Sequence, residues 1–463
     1  MLFNSLEFLY LFLPITYVVF WALTTKTQRY VWLTVTGYVF YAFWNYKFCA
    51  LMAFSTVVAY LAGLGLLRSQ DPFRRKLLLI IPIAVDLILL GVFKYTNFAL
   101  QTVNRVSQLV GEPLDIPFLQ IVLPVGISFY TFHTITYIID AYRGVITPTR
   151  NIFEFSCYVS LFAQLVAGPI VRFRQIEGDL EQIDRADGTR NLSVGWSFFA
   201  IGLVKKVLIA DTIAAIIDPA LAQYAELSSV SIWLCVLGYT YQLYFDFSGY
   251  SDMAVGLGYL FGLRLPQNFR SPYKAVDIGD FWRRWHISLS SCLRDYLYIP
   301  LGGGRGSVWK VNRNLMITML LGGLWHGAQW TFVLWGGYHG LLLIAQRTVA
   351  SRWDRLPVGS RRTLTFLLVV VGWVFFRSTN MHMVWTLLSG MFLWHGGTGI
   401  IGGTTLVVVM LGLCTAVAQL APNTFEVKHD WSAPVAWGLA ALFVACLVMI
   451  YGAKASPFLY FQF

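Results

Sequence analysis

Long apolar runs interrupted by short basic stretches are the feature of this sequence that most restricts its fold. Hydrophobic residues make up 57% of the 463 positions, whereas charged residues make up only 12%. A soluble domain carries about 25% charged residues, so this chain has too little polar surface to cover a globule of its length. The pattern excludes an ordinary cytosolic enzyme, a disordered chain and a disulfide scaffold. It predicts an all-α polytopic membrane protein with about 10–12 membrane helices, since each crossing needs about 20 apolar residues.

The basic residues are explained by membrane orientation better than by a polyanionic partner. The net charge is +11, from 34 basic and 23 acidic residues. Lys and Arg collect in the cytoplasmic loops of membrane proteins, so we expect a lipid bilayer as the surroundings and no nucleic acid as a partner. The six cysteines form no CxxC or metal-spaced pair, so we expect neither a disulfide framework nor a bound metal. The first residues lack a basic stretch and a cleavage site, which favours a retained span over a signal peptide.

The positions of the basic clusters predict a topology. The early cluster of Arg68, Arg74, Arg75 and Lys76 is placed in the cytoplasm, with the N-terminus outside. Residues 264–313, which carry nine basic residues, are predicted to be the main cytoplasmic or interfacial segment. The apolar runs predict spans at about 8–23, 31–67 (a hairpin turning near 45–47), 77–95, 118–140, 192–217, 229–250, 363–377, 383–395, 404–421 and 434–452.

Two apolar segments are basic at both ends, so both of their ends are predicted to lie on the cytoplasmic side. Residues 151–171 are too few to cross and return, so we interpret them as a re-entrant or interfacial segment broken at Gly168-Pro169. Residues 314–346 are too few for two full spans, and we expect a deep helical hairpin or two short helices. Non-helical backbone survives at membrane depth only where protein or a cavity surrounds it. These segments therefore predict an enclosed site, with His326 near the apex of the second.

His326 is the first candidate functional residue. It stands in the run LGGLWHG, whose glycines allow a ligand or a neighbouring backbone to approach closely. A neutral imidazole is suited to proton transfer near pH 7, and ionisable residues at membrane depth have function as their default interpretation. The alternative is a buried histidine that only hydrogen-bonds a carbonyl group. Position alone leaves both open.

A second candidate site is the run DFWRRWHISLSSCLRDYLYIPLGGG, which begins at Asp280. Its two tryptophans are spaced to share one helix face beside Arg283 and Arg284, so one interpretation is an interfacial amphipathic helix. The other is a basic entrance for a phosphate-bearing carrier, with His286 just inside, because arginine binds phosphate in a bidentate manner. The glycines at 302–306 lack the pattern of a nucleotide-binding loop. Asp246, at the inner end of a predicted span, could orient a His or Arg, but we favour a structural role.

These motifs, together with LLGGLWHGAQWTFVLWGGYHG, QLYFDFSGYSDMAVGLGYLFGLRLPQNF, GLVKKVLIAD and QLVAGPIVRF, resemble the membrane-bound O-acyltransferase (MBOAT) family, in particular its bacterial polysaccharide-acetylating branch. The resemblance runs from residue 1 to 463 and departs at Cys292, where a bulky aromatic residue is expected. It implies one transmembrane domain over 1–463, a bowl of helices with a central tunnel. It also implies that His326 and His286 are catalytic, His326 as the base. The donor side would be shaped by Asp280, Trp282, Arg283 and Arg284.

The resemblance further implies a reaction and its setting. The chain would transfer an acetyl group from a cytoplasmic donor, with acetyl-CoA as co-substrate and no further cofactor. The acceptor would be a secreted exopolysaccharide such as alginate or cellulose. Transfer would cross the bacterial inner membrane and pass through a periplasmic acetyltransferase partner. No G-x-S-x-G motif occurs, which argues against a serine nucleophile in this chain.

The uncharged aromatic end, PFLYFQF, is typical of the same branch. We hypothesise that this tail enters the outer mouth and that Tyr460 takes the acetyl group transiently, since an activated tyrosine can form covalent intermediates. The alternative for the tail is an interfacial aromatic anchor.

Two rival functions come from other classes. A polysaccharide or lipid transporter is the first alternative, although no internal repeat supports it. A haem protein would need facing histidines on separate spans, which the spacing does not supply.

Overall fold

Helices make up most of the described chain. The structure is a computed structural model that describes residues 1–397, 402–452 and 458–459. Across these ranges the backbone forms α-helices joined by turns and by short π-helical or 3₁₀ stretches, without a β-strand. The predicted all-α class is therefore confirmed.

Several helical stretches of the described residues have the length and composition of membrane spans. The four stretches that qualify by both criteria are Lys26–Arg68, Pro72–Val110, Val358–Arg377 and Ala433–Gly452. Two shorter apolar stretches, Phe8–Ala22 and Thr404–Leu420, accompany them. Together they define a multi-pass membrane protein, while the count of 10–12 membrane helices stays a prediction.

The described chain divides into two compact units. Residues 1–195 and 254–266 form the first unit, and residues 196–253 and 267–463 form the second. Two of the three boundaries fall inside helices, and the third, at 266/267, lies in the non-helical stretch that follows residue 260. A single domain over 1–463 stays a prediction. Every candidate catalytic or donor-binding residue that the structure describes lies in the second unit.

The first unit begins with helices whose starts follow local capping rules. The Thr25 hydroxyl and the Gln28 side chain form a capping box at the start of α2. Asp71 caps α4, which has proline at its first position. The predicted turn near 45–47 coincides with a break between α2 and α3. The helices of this unit are α1 (Leu13–Ala22), α2 (Lys26–Asn45), α3 (Cys49–Arg68), α4 (Pro72–Leu90), α5 (Thr96–Val110), α6 (Ile127–Tyr142), α7 (Ile152–Ser160), α8 (Phe162–Leu165) and α9 (Phe173–Glu181).

Residues 151–171 form the short helices that the re-entrant interpretation requires. Helix α7 has nine residues and therefore rises only about 14 Å, less than half of a bilayer core. The chain is buried without a break from Cys157 to Phe173. Irregular backbone in this segment is thus covered by protein, as membrane depth would demand. Its actual depth stays a prediction.

The second unit contains the longest helix and the hairpin that carries His326. The chain crosses the boundary between the units within α10 and again within α12. The helices in sequence order are α10 (Gly188–Val204), α11 (Thr212–Ala222), α12 (Ser229–Leu260), α13 (Ile278–Arg284), α14 (Ile287–Leu293), α15 (Val308–His326), α16 (Trp330–Trp353), α17 (Val358–Arg377), α18 (Met381–Phe392), α19 (Thr404–Leu420) and α20 (Ala433–Gly452).

The hairpin around His326 is longer than its apolar core predicts. Helices α15 and α16 have 19 and 24 residues, which correspond to about 29 and 36 Å. The expected helical hairpin is therefore confirmed, while its depth in the membrane stays a prediction. Lys310 and Arg313 lie on turns of α15, and Arg347 and Arg352 on turns of α16, so the basic residues at both ends of 314–346 continue the two helices. The predicted apex is confirmed, since only residues 327–329 separate the two helices.

The basic segment 264–313 is more deeply buried in the protein than its charge suggests. It contains α13, α14 and the start of α15. Phe281 and His286 are fully buried, and Trp285 is nearly so. The interpretation of Trp285 as an interfacial anchor is therefore wrong, because its ring packs on Trp373 at a centroid distance of 4.8 Å. Which side of the membrane this segment faces stays a prediction.

Candidate active site

His326 is placed by an unusually close pairing of α15 and α16. A Cβ atom on Gly323 would collide with the Phe332 carbonyl oxygen, and one on Gly336 would collide with the Met319 carbonyl oxygen. Both positions therefore need glycine for the two backbones to meet. His326 is the last residue of α15, one turn beyond the first of these contacts. The packing of the hairpin thus determines where the imidazole lies.

The His326 ring is enclosed by aromatic side chains. Its centroid lies 5.0 Å from that of Trp335, with the rings nearly perpendicular, and 5.2 Å from that of Phe376. Only 4% of the residue is exposed. Such edge-to-face contacts restrict the ring to one orientation. The structure therefore presents His326 as a nearly buried group whose ring is packed among aromatic side chains.

His286 is held by a strained backbone between α13 and α14. Its φ of 44° lies in the left-handed region, which non-glycine residues rarely adopt. Asn268 stabilises this turn: its carbonyl oxygen accepts from the Ile287 N–H at 2.9 Å, and its Oδ1 accepts from the Ser288 hydroxyl at 2.9 Å. Strain of this kind is retained where the surroundings determine it, often at functional sites.

The fold brings together the two histidines that the family resemblance pairs. The ring centroids of His286 and His326 are 6.2 Å apart. Trp325 contacts both rings, at 5.0 Å from His326 and 6.1 Å from His286. His286 is fully buried. The two imidazoles therefore form one cluster, although neither their sequence separation nor their periodicity predicts it.

A cavity of about 560 Å³ extends from His326 within the second unit. This volume lies in the range of small-molecule binding sites. Its wall is mostly apolar, and His286 is not part of it. The wall residues from α13 to the π-helical stretch after α14, with two preceding residues, are Gln267, Arg270, Trp282, Arg283, Ile287, Leu289, Ser290, Ser291, Leu293, Arg294 and Tyr298. Those from the hairpin are Leu315, Thr318, Met319, Gly322, His326, Trp335 and Leu343.

Three arginines supply the positive charge of this cavity. The side chains of Arg283 and Arg294 are 63% and 62% exposed, and Arg283 Nη2 lies 3.8 Å from Asp277 and 3.7 Å from Asp280. The Asp295 carboxylate accepts a hydrogen bond from Arg294 Nε at 2.7 Å, which raises the pKa of Arg294. Arg270 completes the set. Arginine groups suit the planar, bidentate recognition of phosphate or carboxylate.

Of the residues assigned to the donor side, two lie in the cavity wall and two do not. Trp282 and Arg283 line the cavity. Asp280 and Arg284 pair with each other, Nε to Oδ2, at 2.9 Å, and Asp280 Oδ1 lies 3.7 Å from Nη2 of Arg283. The Arg284 guanidinium also donates to the Arg270 carbonyl oxygen at 3.3 Å, so the pair braces the backbone beside a cavity arginine. A direct role for the pair in binding stays a prediction.

Sequence reasoning missed several residues of this site. Arg270 and Arg294 line the cavity, but they stand among nine basic residues of one segment and nothing in their spacing marks them. Asn268, which secures the His286 turn, lies within one of the runs that carry the family resemblance, but nothing in that run indicates this contact. Trp335 could have been found, since a hairpin apex near His326 places a residue nine positions later within two turns of the tip, on the second helix.

Asp246 and the end of the chain form a second feature of this unit. Lys206 Nζ donates to Asp246 Oδ1 at 2.6 Å, while the structural role that we favoured for this aspartate stays a prediction. Its other oxygen, Oδ2, accepts from the Leu459 N–H at 3.0 Å. Tyr460 lies outside the described residues. In the described ranges, no three His, Cys, Asp or Glu side chains are grouped as metal ligands would be.

These observations first define a class of protein. The chain is a multi-pass helical membrane protein with a buried imidazole in the wall of an arginine-containing cavity, as expected for an enzyme that carries out acid–base chemistry within the membrane. Residues 145–389 match the membrane-bound O-acyltransferase family (MBOAT). The chain belongs to this family, and it is an O-acyltransferase.

Known relatives are similar over most of the chain. A probable alginate O-acetylase of Azotobacter vinelandii is 45% identical over 401 residues, which cover 85% of this chain and 78% of the relative. A probable alginate O-acetylase of Pseudomonas putida is 41% identical over the whole of both chains. The peptidoglycan O-acetyltransferase of Helicobacter pylori is 37% identical over 84% of this chain and 80% of the relative.

Proposed function

We propose that this chain transfers an acetyl group from acetyl-CoA to the hydroxyl groups of a secreted polysaccharide. The names of the relatives support acetyl as the group and a cell-surface polysaccharide, such as alginate, as the acceptor. The structural observation that carries the proposal is His326 in the wall of a cavity that also contains three arginines. The enzyme would act in the bacterial inner membrane, with a periplasmic acetyltransferase as partner.

The donor would enter from the arginine side of the cavity. Arg270, Arg283 and Arg294 offer positive charge to the phosphates of the carrier. The apolar wall that continues towards His326 would accept the pantetheine arm and the acetyl thioester. A wall of this kind excludes water and so limits hydrolysis of the activated acyl group.

The reaction moves one proton from the acceptor hydroxyl to His326 and then from His326 to the leaving group. The acceptor hydroxyl gives its proton to the neutral His326 imidazole, and its oxygen attacks the thioester carbonyl carbon. The carbon–sulfur bond then breaks, and the departing thiolate takes the proton from His326, so free CoA and an acetyl ester are formed. General-base assistance is typically worth about 10²–10⁴ in rate. His286, 6.2 Å away, would take part through His326 and not through the donor.

The acceptor that first takes the acetyl group would be Tyr460. Its phenol oxygen would receive the acetyl group as an ester, and a polysaccharide or partner hydroxyl would then displace it and restore the phenol. The neighbouring tail residues support this proposal, because Phe458 and Leu459 are buried in the unit that carries His326. A Tyr460→Phe variant that acetylates normally would show that the tail is only an anchor.

The proposal is tested in cells that lack the native gene. The O-acetyl content of the exported polysaccharide is measured after complementation with wild type, His326→Ala or His339→Ala at equal membrane levels. His339 is a matched control, because it is a buried histidine of the same hairpin outside the cavity wall. We expect His326→Ala alone to abolish acetylation while polymer export continues. Loss of export would favour the transporter alternative, and normal acetylation would contradict the proposed role of His326.

A further inference from the structure

Two adjacent lysines form two separate buried ion pairs with the same helix. Lys205 and Lys206 begin the π-helical stretch Lys205–Asp211 that continues α10. Lys206 Nζ lies 2.6 Å from Asp246 Oδ1, and Lys205 Nζ lies 2.6 Å from Asp252 Oδ2, both aspartates being on α12. Both pairs join an ammonium group to a carboxylate at the same distance, and Lys206 Nζ also lies 2.9 Å from Asp211 Oδ1. The two pairs differ in the other hydrogen bonds that their aspartates accept.

The Asp246 carboxylate joins the pair to the end of the chain. Lys206 occupies Oδ1, and the backbone N–H of Leu459 donates to Oδ2 at 3.0 Å. The Asp252 carboxylate instead accepts from the Thr424 hydroxyl at 2.6 Å and so secures a loop. Asp246 is therefore the member of the two pairs that contacts the tail.

The tail residues pack against the aromatic wall beside His286. Phe458 is 2% exposed, and its ring centroid lies 4.7 Å from that of Tyr250 and 5.6 Å from that of Phe247. The Phe247 ring in turn contacts the His286 ring edge-on at 4.6 Å. One aromatic side chain thus separates the tail from the histidine cluster.

A backbone donor makes this contact independent of the side chain at position 459. A buried carboxylate is stable only when its oxygens are paired or hydrogen-bonded. Lys206 supplies the counter-charge, and the tail supplies the remaining donor. Any residue at 459 except proline can provide that N–H. The hydrogen bond to Asp246 therefore fixes where the backbone of residue 459 lies, whichever side chain that residue carries.

We propose that Asp246, held by Lys206, is a positioning residue that anchors the C-terminal segment against the histidine cluster through the Leu459 N–H. The consequence for acetyl transfer rests on the proposed function, in which the tail delivers the acceptor hydroxyl. The contact between Asp246 and the tail does not itself depend on the reaction. The contact and its consequence for acetyl transfer are therefore tested by different measurements on the same variants.

The anchor is tested by the rate at which a thiol at position 458 is labelled. A Phe458→Cys chain in native membranes is treated with a maleimide, alone and combined with Asp246→Asn or with the matched Asp252→Asn. Loss of one charge-assisted hydrogen bond corresponds to about a tenfold rise in local opening. We expect labelling about tenfold faster with Asp246→Asn and unchanged with Asp252→Asn. Unchanged labelling with Asp246→Asn, or an equal rise with both, overturns the proposal.

A change in the tail gives an independent test if Asp246→Asn reduces the amount of protein. In the Phe458→Cys chain, Leu459→Pro removes the N–H, whereas Leu459→Ala keeps it. Faster labelling of the introduced thiol is expected with Leu459→Pro but not with Leu459→Ala, and the opposite result overturns the anchor.

O-acetyl content, measured with Phe458 intact, separates the anchor from the proposed function. We expect acetylation to fall several-fold in Asp246→Asn and Leu459→Pro, and to persist in Asp252→Asn. If labelling accelerates while acetylation is normal, the anchor stands and its consequence for acetyl transfer is wrong. Retained acetylation in His326→Ala would instead contradict the proposed function, whatever the labelling shows.

Discussion

His326 and His339 lie on one helical hairpin, and both rings are 5.0 Å from the ring of Trp335. His326 stands at the tip of α15, borders the cavity and lies beside a second histidine. His339 lies in the middle of α16 and packs among Phe281 and Trp282. Its two ring nitrogens have no hydrogen-bond partner among the described residues. Burial alone therefore does not mark a histidine as a functional residue. His326 differs from His339 in that it borders a cavity.

The largest effect is expected from moving the tip of the hairpin without touching its imidazole. Gly323→Ala places a methyl group against the Phe332 carbonyl oxygen and displaces His326. A misplacement of about 1 Å can cost about 10²-fold in rate, so O-acetyl content should fall to a few per cent. Overpacking should also cost about 1–3 kcal/mol of stability, measured by thermal unfolding in detergent.

Gly337→Ala is the matched control for this change. Its new methyl group would meet only Leu320 Cδ2, at an ordinary 3.5 Å. Acetylation near the wild-type level is expected. If Gly323→Ala were equally active, the close approach of α15 and α16 would not be what positions His326.

A smaller effect is expected at the arginine side of the cavity. Arg294→Gln removes one exposed cation from the cavity wall, and exposed charge contacts are worth little individually. The KM for acetyl-CoA should rise about three- to tenfold with kcat little changed. Membrane vesicles with radiolabelled acetyl-CoA give both constants.

Arg347→Gln removes an exposed cation from α16 outside the cavity wall and should leave the KM unaltered. A purely electrostatic contribution should also weaken as salt is raised. Equal KM values for wild type and Arg294→Gln would mean that the donor does not approach from this side.

The smallest effect is expected at His339. Leucine removes two buried nitrogens without hydrogen-bond partners from an apolar surrounding, which can be nearly neutral for stability. His339→Leu should therefore change the free energy of unfolding by no more than about 1 kcal/mol and leave acetylation within about twofold. A large loss of activity at normal protein levels would contradict the distinction between the two histidines.

The sequence alone predicted what depends on average composition and on local pattern. The shortage of charge predicts the all-α membrane class, and the apolar runs locate α17 to α20 to within a few residues. The two basic-flanked segments predict a re-entrant or interfacial segment at 151–171 and a hairpin apex near His326. Local signals could not show that Arg313 and Arg347 continue the hairpin, because a basic residue occurs equally well in a loop and on a helical turn.

Composition and local pattern do not predict contacts between distant parts of the sequence. His286 and His326 were paired by family resemblance, since their proximity depends on how α13 and α14 pack against the hairpin. Arg294 and Arg270 line the cavity for the same reason. The contact of Asp246 with Leu459 joins residues 213 positions apart, and no periodicity predicts it. The burial of segment 264–313 likewise follows from its aromatic neighbours and not from its charge.

The most direct test of the central claim is the rate of acetyl transfer by His326→Ala when donor binding is measured on the same preparation. Membrane vesicles from cells lacking the native gene receive radiolabelled acetyl-CoA, and the label bound to the protein and the label esterified to polysaccharide are counted. The account predicts wild-type binding of the donor and transfer at least about 10²-fold slower. Transfer at the wild-type rate, or a loss of transfer fully explained by lost binding, would contradict it.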